Sequence, residues 1–214
     1  MRTETTTREI FTFDELSDSA KETARQWWRE SGIDDGIGDY IFDDAQQCAS
    51  ILGIELDETQ IPLMNGKTRP APKIYYSGFS SQGDGACFEG SYSYTKGSTL
   101  AIRAYAPQDT ELHRIADGLQ AIQKTAFYQL YASASHSGHY YHSGCMAVSV
   151  DRDSSNYQDM TSEQESEVID LLRGFADWIY SRLEKEYEWL NSDEQVDESI
   201  IGNGYEFDAI GRMA

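Results

Sequence analysis

Apolar residues recur at steps of three and four in several stretches of the chain, a spacing that predicts amphipathic helices. The predicted helices are 13–31, 40–52, 109–124, 163–190 and a shorter one that restarts after Ser192 and runs through Ile201. Three capping-box spacings support such starts: Thr12 with Glu15, Ser162 with Glu165 and Ser192 with Gln195. We further expect Gly32 and Gly53 to end the first two helices, residues 33–39 to form a loop, and Asp39 to cap the second helix.

Runs rich in β-branched and aromatic residues predict strands between these helices. The predicted strands are 3–11, 54–57, 73–79, 86–94, 100–105, 127–136 and 145–151, with a short strand or packed tail at 205–207. The segment 58–72 contains three prolines and is predicted to be a loop, either an insertion or a flexible flap. Together the elements predict one α+β domain over 1–214, with an antiparallel sheet, helices packed on one face and a long C-terminal helix.

The charge balance restricts the partners of the protein. Seventeen basic residues against 37 acidic ones give a formal net charge of −20. Direct nucleic-acid binding and anionic membranes are disfavoured, because phosphate groups are bound by Lys and Arg. A basic protein surface would be attracted, as would a groove that normally holds DNA. Residues 151–208 carry 17 acids and four bases, so an acidic nucleic-acid mimic is one alternative function.

Cysteine usage and the missing targeting signals predict a compartment. Cys48, Cys87 and Cys145 are too few for a disulfide framework in 214 residues, which favours a reducing cytoplasm. The first residues lack the apolar core of a secretion signal, and no run approaches the roughly 20 apolar residues of a membrane span. We therefore expect a soluble cytoplasmic protein with no membrane partner. Cys48 lies on the stripe of the second helix and is expected to be buried.

A glycine-rich stretch, 75–94, is the least ordinary part of the chain and reads YYSGFSSQGDGACFEGSYSY. Glycines let a backbone approach a ligand closely, and successive exposed N–H groups can bind an anion. Neither a Walker motif nor a dinucleotide fingerprint is present, since both require a following helix. Asp84 and Glu89 would also repel a phosphate unless a metal ion lay between them. A long, shaped hairpin turn is the alternative interpretation.

A second unusual stretch, SHSGHYYHSGC at 135–145, holds three of the four histidines. His136, His139, His142 and Cys145 are spaced by three, so a turn could bring some of them onto a metal ion. No HExxH or paired CxxC motif supports that idea, and an ordinary aromatic turn is the alternative.

If the two stretches are neighbours in the sheet, their carboxylates, thiols and imidazoles could combine for acid–base or nucleophilic chemistry. The catalytic candidates are Asp84, Cys87 and His139. The binding candidates are Phe79, Gly83, Asp84, Gly85, Glu89, His139, Tyr140, Tyr141 and His142. Aromatic side chains such as Phe79, Tyr140 and Tyr141 would anchor a partner. No cofactor is predicted, and whether the two turns meet stays open.

Four further features are segments that read REIFTFDELSDSAKETARQWW, YSGFSSQGDGACFEG, HSGHYYHSGC and WIYSRLEKEYEWLNSDEQVDESI. These segments resemble a family of uncharacterised phage and prophage proteins, and the resemblance spans most of the chain. Members are sometimes labelled antitoxins of a toxin–antitoxin stability system. The resemblance implies a phage or prophage accessory protein in the cytoplasm of a bacterial host.

The leading expectation is a non-enzymatic protein that binds a host protein, such as a defence component, and inhibits or titrates it. The alternatives are a small metal-dependent or Cys/His enzyme, a small-ligand-binding protein with its site at the two turns, and an acidic nucleic-acid mimic.

Overall fold

The computed structural model describes residues 2, 8–31, 38–64 and 66–214. In this part of the chain the α-helices are α1 (Asp18–Glu30), α2 (Asp39–Leu52), α3 (Ser98–Tyr105), α4 (Thr110–Thr125), α5 (Ser162–Leu190) and α6 (Asp193–Asn203). The strands are β1 (Phe11–Thr12), β2 (Ile54–Leu56), β3 (Glu58–Pro62), β4 (Thr68–Pro72), β5 (Ile74–Ser77), β6 (Gly85–Phe88), β7 (Gly90–Ser93), β8 (Leu130–His136), β9 (Met146–Arg152) and β10 (Glu206–Phe207). All strand pairs are antiparallel. The α+β class and the long helix near the C-terminus are therefore confirmed.

Contacts between residues divide the chain into two compact units. The terminal unit consists of Met1–Ile37 and Glu184–Ala214, and the central unit is Gly38–Leu183. This division does not test the assignment of 1–214 to one domain, which therefore stays a prediction. Three sequence expectations lie outside the described residues: the first part of the strand 3–11, the helix stop at Gly32 and most of the loop 33–39.

The terminal unit is held together by an apolar cluster and by charged hydrogen bonds. The cluster comprises Phe13, Leu16, Ala20, Ala24, Val196, Ile200 and Phe207, with Trp27, Trp28 and Tyr205 packed against it. Arg25 of α1 donates two hydrogen bonds of 2.7 Å to the carboxylate of Asp197 in α6. The Thr12–Glu15 capping box exists, but it caps a short 3-10 turn, and α1 begins after Ser17.

The main sheet of the central unit has the strand order β2-β7-β8-β9. Residues of β8 alternate between buried and exposed, as expected when one face of a sheet is covered. The buried side chain of Gln123 fixes the start of β8. Its Nε2 donates to the carbonyl of Leu130 at 2.6 Å, and its Oε1 accepts from the amide of Leu130 at 3.2 Å.

Three strand pairs of the central unit meet at one junction. The chain passes from β2 to β3 at Asp57, from β4 to β5 at Lys73, and from β6 to β7 at Glu89. These residues bond in a ring: the amide of Asp57 donates to Glu89, that of Glu89 to Lys73, and that of Lys73 to Asp57, at 2.7–3.0 Å. The ammonium group of Lys73 lies 2.7 Å from the Glu89 carboxylate and 3.7 Å from that of Asp57. The junction positions the hairpin β5–β6, which carries the glycine-rich turn.

The segment 58–72, predicted to be a loop, forms the two-stranded hairpin β3–β4 instead. Pro62, Pro70 and Pro72 all occupy alternate pairs of its ladder. The amides of Leu63 and Lys73 donate to the carbonyls of Lys67 and Asp57, at the two pairs that flank the ladder, so the hydrogen-bonded pairs alternate with the pairs that contain proline. The N–H groups missing at proline would point away from the partner strand, so the ladder loses no bond and the prolines are compatible with pairing.

Other boundaries also differ from expectation. Residues 100–105, predicted to be a strand, belong to helix α3, because a short apolar run suits either structure. Phe127 and Tyr128 have left-handed φ angles of 57° and 62°, so they precede the strand that starts at Leu130.

Two predicted helix caps are wrong as well. Gly38, and not Asp39, occupies the N-cap of α2. The box at the start of α5 joins Thr161 to Gln164, one residue earlier than the expected pair Ser162 and Glu165.

Candidate binding surface at two converging turns

The hairpin β5–β6 presents two faces with different neighbours. On one face Phe88 packs edge-on against Phe175 of α5, with ring centres 5.8 Å apart. Tyr75 and Cys87 lie directly opposite each other in the ladder and so share the other face. The Tyr75 ring stacks on Tyr141 at 5.7 Å. The turn 136–145 therefore covers this second face.

The two unusual turns meet, which answers the question that the sequence left open. A Cβ atom added to Gly85 would lie 2.5 Å from Cα of His142, so only glycine allows this approach. A Cβ atom on Gly83 would lie 3.4 Å from the ring of Tyr140. We call the surface formed by residues 78–85 and 136–145 the two-turn surface.

Asp84 organises the glycine-rich turn from within. Its Oδ2 accepts hydrogen bonds from the amides of Ser80 and Ser81, at 2.9 and 2.6 Å. Its carboxylate lies so close to Gly78 that a Cβ there would come within 2.6 Å. The hydroxyl of Tyr180 in α5 donates to the carbonyl of Gly78 at 3.0 Å. Two N–H groups of this turn, which could otherwise bind an external anion, thus bind a carboxylate of the same turn.

The predicted binding residues differ in their exposure. His139 and Tyr140 are exposed, Tyr140 to 65%. Tyr141 and His142 are half-buried in the contact with β5 and β6. Phe79 is half-buried and stacks on the ring of Tyr180 at 5.7 Å, so it supports the turn more than it offers a free anchor.

Glu89 also has a structural role, because its carboxylate pairs with the ammonium group of Lys73 at the strand junction. This hydrogen bond is the main reason why the pKa of Lys73 is raised.

The three catalytic candidates lie in different environments. Cys87 is fully buried, and burial, together with the neighbouring Cys145, raises the pKa of its thiol to about 12. Asp84 holds its own turn, and His139 is exposed to solvent. The pair that does come together is Cys145 and His142, with Sγ and Nε2 3.1 Å apart.

A metal site has little support in this geometry. Among the described residues, no group of three or more His, Cys, Asp or Glu side chains could hold a metal ion. His136 instead has its Nε2 2.8 Å from the carbonyl oxygen of Tyr140. The spacing of three residues brings the histidines close together in the chain, but in the described structure their side chains do not converge on a common metal ion.

The two-turn surface has almost no charged side chains, and the sequence motifs did not reveal this feature. Residues 74–83 and 125–150 contain no Asp, Glu, Lys or Arg, although a quarter of all residues in the chain are charged. The signal was present in the sequence. Its meaning depends on the two segments lying side by side, since either segment alone could have been an ordinary buried hairpin.

The fold and the site define an α+β protein with a neutral surface rich in tyrosine, serine, glycine and histidine. The chain belongs to the family of the domain of unknown function DUF8835, which matches residues 38–193. No curated protein and no solved structure matches the chain. Phage origin and the antitoxin label stay predictions beside this family.

The matched range contains the whole central unit and therefore both turns. In the part of the chain that the structure describes, no helix is long and apolar enough to cross a membrane.

Proposed function

We propose that this protein is a non-enzymatic binding protein and that the two-turn surface contacts its partner. The observation that carries the proposal is the meeting of two turns with a single charged residue, Asp84, on a chain with a net charge of −20, and the carboxylate of Asp84 is bonded within its own turn. Such a surface needs little desolvation of charged groups when a partner covers it. Charged residues are depleted at the centres of protein interfaces for this reason.

The residue types of the two turns also suit recognition. Tyrosine offers a large contact area with few rotatable bonds, while serine and glycine adapt their hydrogen bonds to a partner. Exposed Tyr140 is the strongest candidate anchor, and His139 beside it offers a polar contact. Tyr141 and Asp84 stabilise the conformation of the two turns, Tyr141 by stacking on Tyr75 and Asp84 by accepting a hydrogen bond from the amide of Ser81.

The partner in this proposal is a host protein in the cytoplasm of a bacterium, and the protein is a phage or prophage accessory factor. Binding would inhibit or titrate the host protein, for which a component of a defence system is our choice. This part of the proposal rests on the resemblance of the segments 76–90 and 136–145 to phage proteins.

A second candidate is an acidic mimic of nucleic acid, which the net charge of −20 favours. The two candidates differ in salt dependence, because exposed charges are screened at high ionic strength and apolar contacts are not. They also differ in the residues required, since a mimic would use carboxylates and not Tyr140.

The test is affinity capture from bacterial lysate at low and at high salt, with quantitative mass spectrometry of the bound proteins. The bait is the full chain, compared with Tyr140→Ser and with Tyr157→Ser as a matched control. Tyr157 is 95% exposed and lies outside both turns. The affinity for the purified captured protein is then measured with all three baits.

The proposal expects one protein that is retained at high salt by the wild type and by Tyr157→Ser. Tyr140→Ser should bind it about tenfold or more weakly, because exposed aromatic anchors contribute more than about 1.4 kcal/mol at interfaces. Equal binding by Tyr140→Ser would contradict the proposal. Capture that ignores Tyr140 and disappears at high salt would favour the acidic mimic.

A further inference from the structure

Cys145 lies in a setting that favours reaction of its thiol. Its Sγ is 3.1 Å from Nε2 of His142, and both residues are only half-buried. Gly144 lies so close to the imidazole that a Cβ atom there would come within 3.0 Å of Nδ1. An imidazole in this position can take the thiol proton, and the thiolate is the nucleophilic form of cysteine.

A positive charge lies next to the same turn. Arg173 of α5 donates from Nη2 to the carbonyl oxygen of Met146, the residue that follows Cys145, at 3.3 Å. Its Nε is buried and has no hydrogen-bond partner among the described residues. Reactive cysteines are typically found near Arg, Lys or protonated His, because these groups offset the charge of the thiolate.

A second thiol lies on the surface against which this turn packs. Side chains two residues apart in a strand share a face, so Cys87 is on the face of β6 that Gly85 presents to His142. Burial, with a smaller contribution from the neighbouring Cys145, raises the pKa of Cys87 to about 12. Cys87 is therefore a protonated, solvent-shielded thiol beside an accessible one.

We propose that Cys145 is a peroxide-reactive thiol and that Cys87 captures its oxidised form as an intramolecular disulfide. The Cys145 thiolate first attacks one oxygen of hydrogen peroxide. The O–O bond breaks, and the departing hydroxide takes the proton held by His142 and leaves as water. The product at Cys145 is a sulfenic acid.

In the second step the Cys87 sulfur attacks the Cys145 sulfur and the S–O bond breaks. The hydroxyl leaves as water with the proton of the Cys87 thiol. Two thiols and one peroxide thus give one disulfide and two waters. The bond joins β6 to the turn 136–145 and fastens the two turns together. This inference does not depend on the identity of a binding partner.

The test uses the reduced full chain, freed of reductant and treated with one equivalent of hydrogen peroxide. Remaining thiols are blocked with N-ethylmaleimide after denaturation, and a non-reducing peptide map identifies the linked peptides. The expected product links the Cys87 and Cys145 peptides, leaves Cys48 alkylated, and is reversed by dithiothreitol. Full alkylation of all three cysteines, or a link that includes Cys48, would overturn the proposal.

Single substitutions separate the roles, and circular dichroism verifies that each variant is folded. Cys87→Ser should stop the reaction at a sulfenic acid on Cys145, which dimedone traps. His142→Gln should form the same disulfide roughly tenfold or more slowly, because it lacks the base.

Cys48→Ala is the matched control and should behave as the wild type does. Cys48 is equally buried, and burial likewise raises its pKa to about 12. Peroxide modification of Cys87 in Cys145→Ser, or a wild-type rate in His142→Gln, would contradict the assigned order of events.

Discussion

The two compact units of this protein differ in the kind of side chain on which each depends. All three cysteines and all four histidines lie in the central unit, and the terminal unit contains neither. The terminal unit is organised by a tight aromatic cluster and by Arg–carboxylate pairs. The central unit instead uses tyrosine, histidine and glycine to bring two surface turns together. Residues that could carry out chemistry or recognition are thus concentrated in one unit, which the DUF8835 match contains completely.

The largest expected effect concerns the apolar core of the terminal unit. Phe207 is fully buried, and its ring contacts those of Phe13 and Trp27. Phe207→Ala should lower the free energy of unfolding by about 3–5 kcal/mol, since it removes a large side chain and leaves a cavity. Chemical denaturation measures the change. Ile201→Ala is the control, because Ile201 is about half exposed, and it should cost much less. A loss below about 1 kcal/mol for Phe207→Ala would contradict the described packing.

The next effect tests the contact between the turns of the central unit. Gly85→Ala places a methyl group 2.5 Å from Cα of His142, which the backbone cannot accommodate without moving. We expect a loss of about 1–3 kcal/mol in the free energy of unfolding, as for other overpacked sites. The near-ultraviolet circular dichroism of the stacked tyrosines should also change.

Gly83→Ala is the matched control for this substitution. Its added Cβ meets the Tyr140 ring at an ordinary contact distance of 3.4 Å, so its stability should change far less. Equal effects of the two substitutions would show that the turns do not meet as described.

A smaller effect is expected from the charged contacts of the terminal unit. Arg25 is largely shielded, with 19% of its side chain exposed, and binds Asp197 through two nitrogens. Arg25→Met should reduce stability by about 1–2 kcal/mol, because a shielded two-point pair is worth more than a surface pair. Arg114→Met breaks the exposed Arg114–Glu111 pair and should cost less than about 1 kcal/mol. A reversed order in denaturation experiments would contradict this ranking.

The smallest effect concerns the pH dependence of the terminal unit. The hydrogen bond from Arg29, and then the charge of Arg25, lower the pKa of Asp193. Because the pKa of Asp193 is lower in the folded than in the unfolded state, its charge stabilises the fold at pH values above the ordinary aspartate pKa. This stabilisation is lost as the pH falls through the lowered folded-state pKa. Asp193→Asn should therefore weaken the loss of stability between about pH 5 and pH 2, measured by thermal unfolding. Arg29→Gln should weaken it in the same direction, and an unchanged pH profile in both variants would refute the linkage.

Most of the helices, though not α3, could be predicted because their signals are local. The apolar stripe of α5 and the Ser192 cap of α6 lie within a few residues of the backbone groups that they organise. The exposed-and-buried alternation of β8 is equally local. The fold class and the burial of Cys48 follow from such patterns, and both are confirmed.

Contacts between distant segments could not be predicted in the same way. The ring of hydrogen bonds among Asp57, Lys73 and Glu89 joins three strand pairs whose register no local pattern specifies. The prolines of β3–β4 are typical of loops, and only the ladder reveals that they occupy positions where no N–H is needed. Asp84 and Glu89 were predicted to be binding residues, but each of them forms a hydrogen bond within the fold, which the sequence alone does not reveal.

Composition, charge and periodicity therefore determined the class of the fold, most of its helices and the two segments in which a site should be sought. The pairing of β5 with β6 and the packing of Gly85 on His142 decided that these segments form one surface. They also brought the turn that carries His142 and Cys145 against the face of β6 to which Cys87 belongs. The physical reason is that periodicity arises from neighbours along the chain, whereas a site arises from side chains that only the packed backbone brings together.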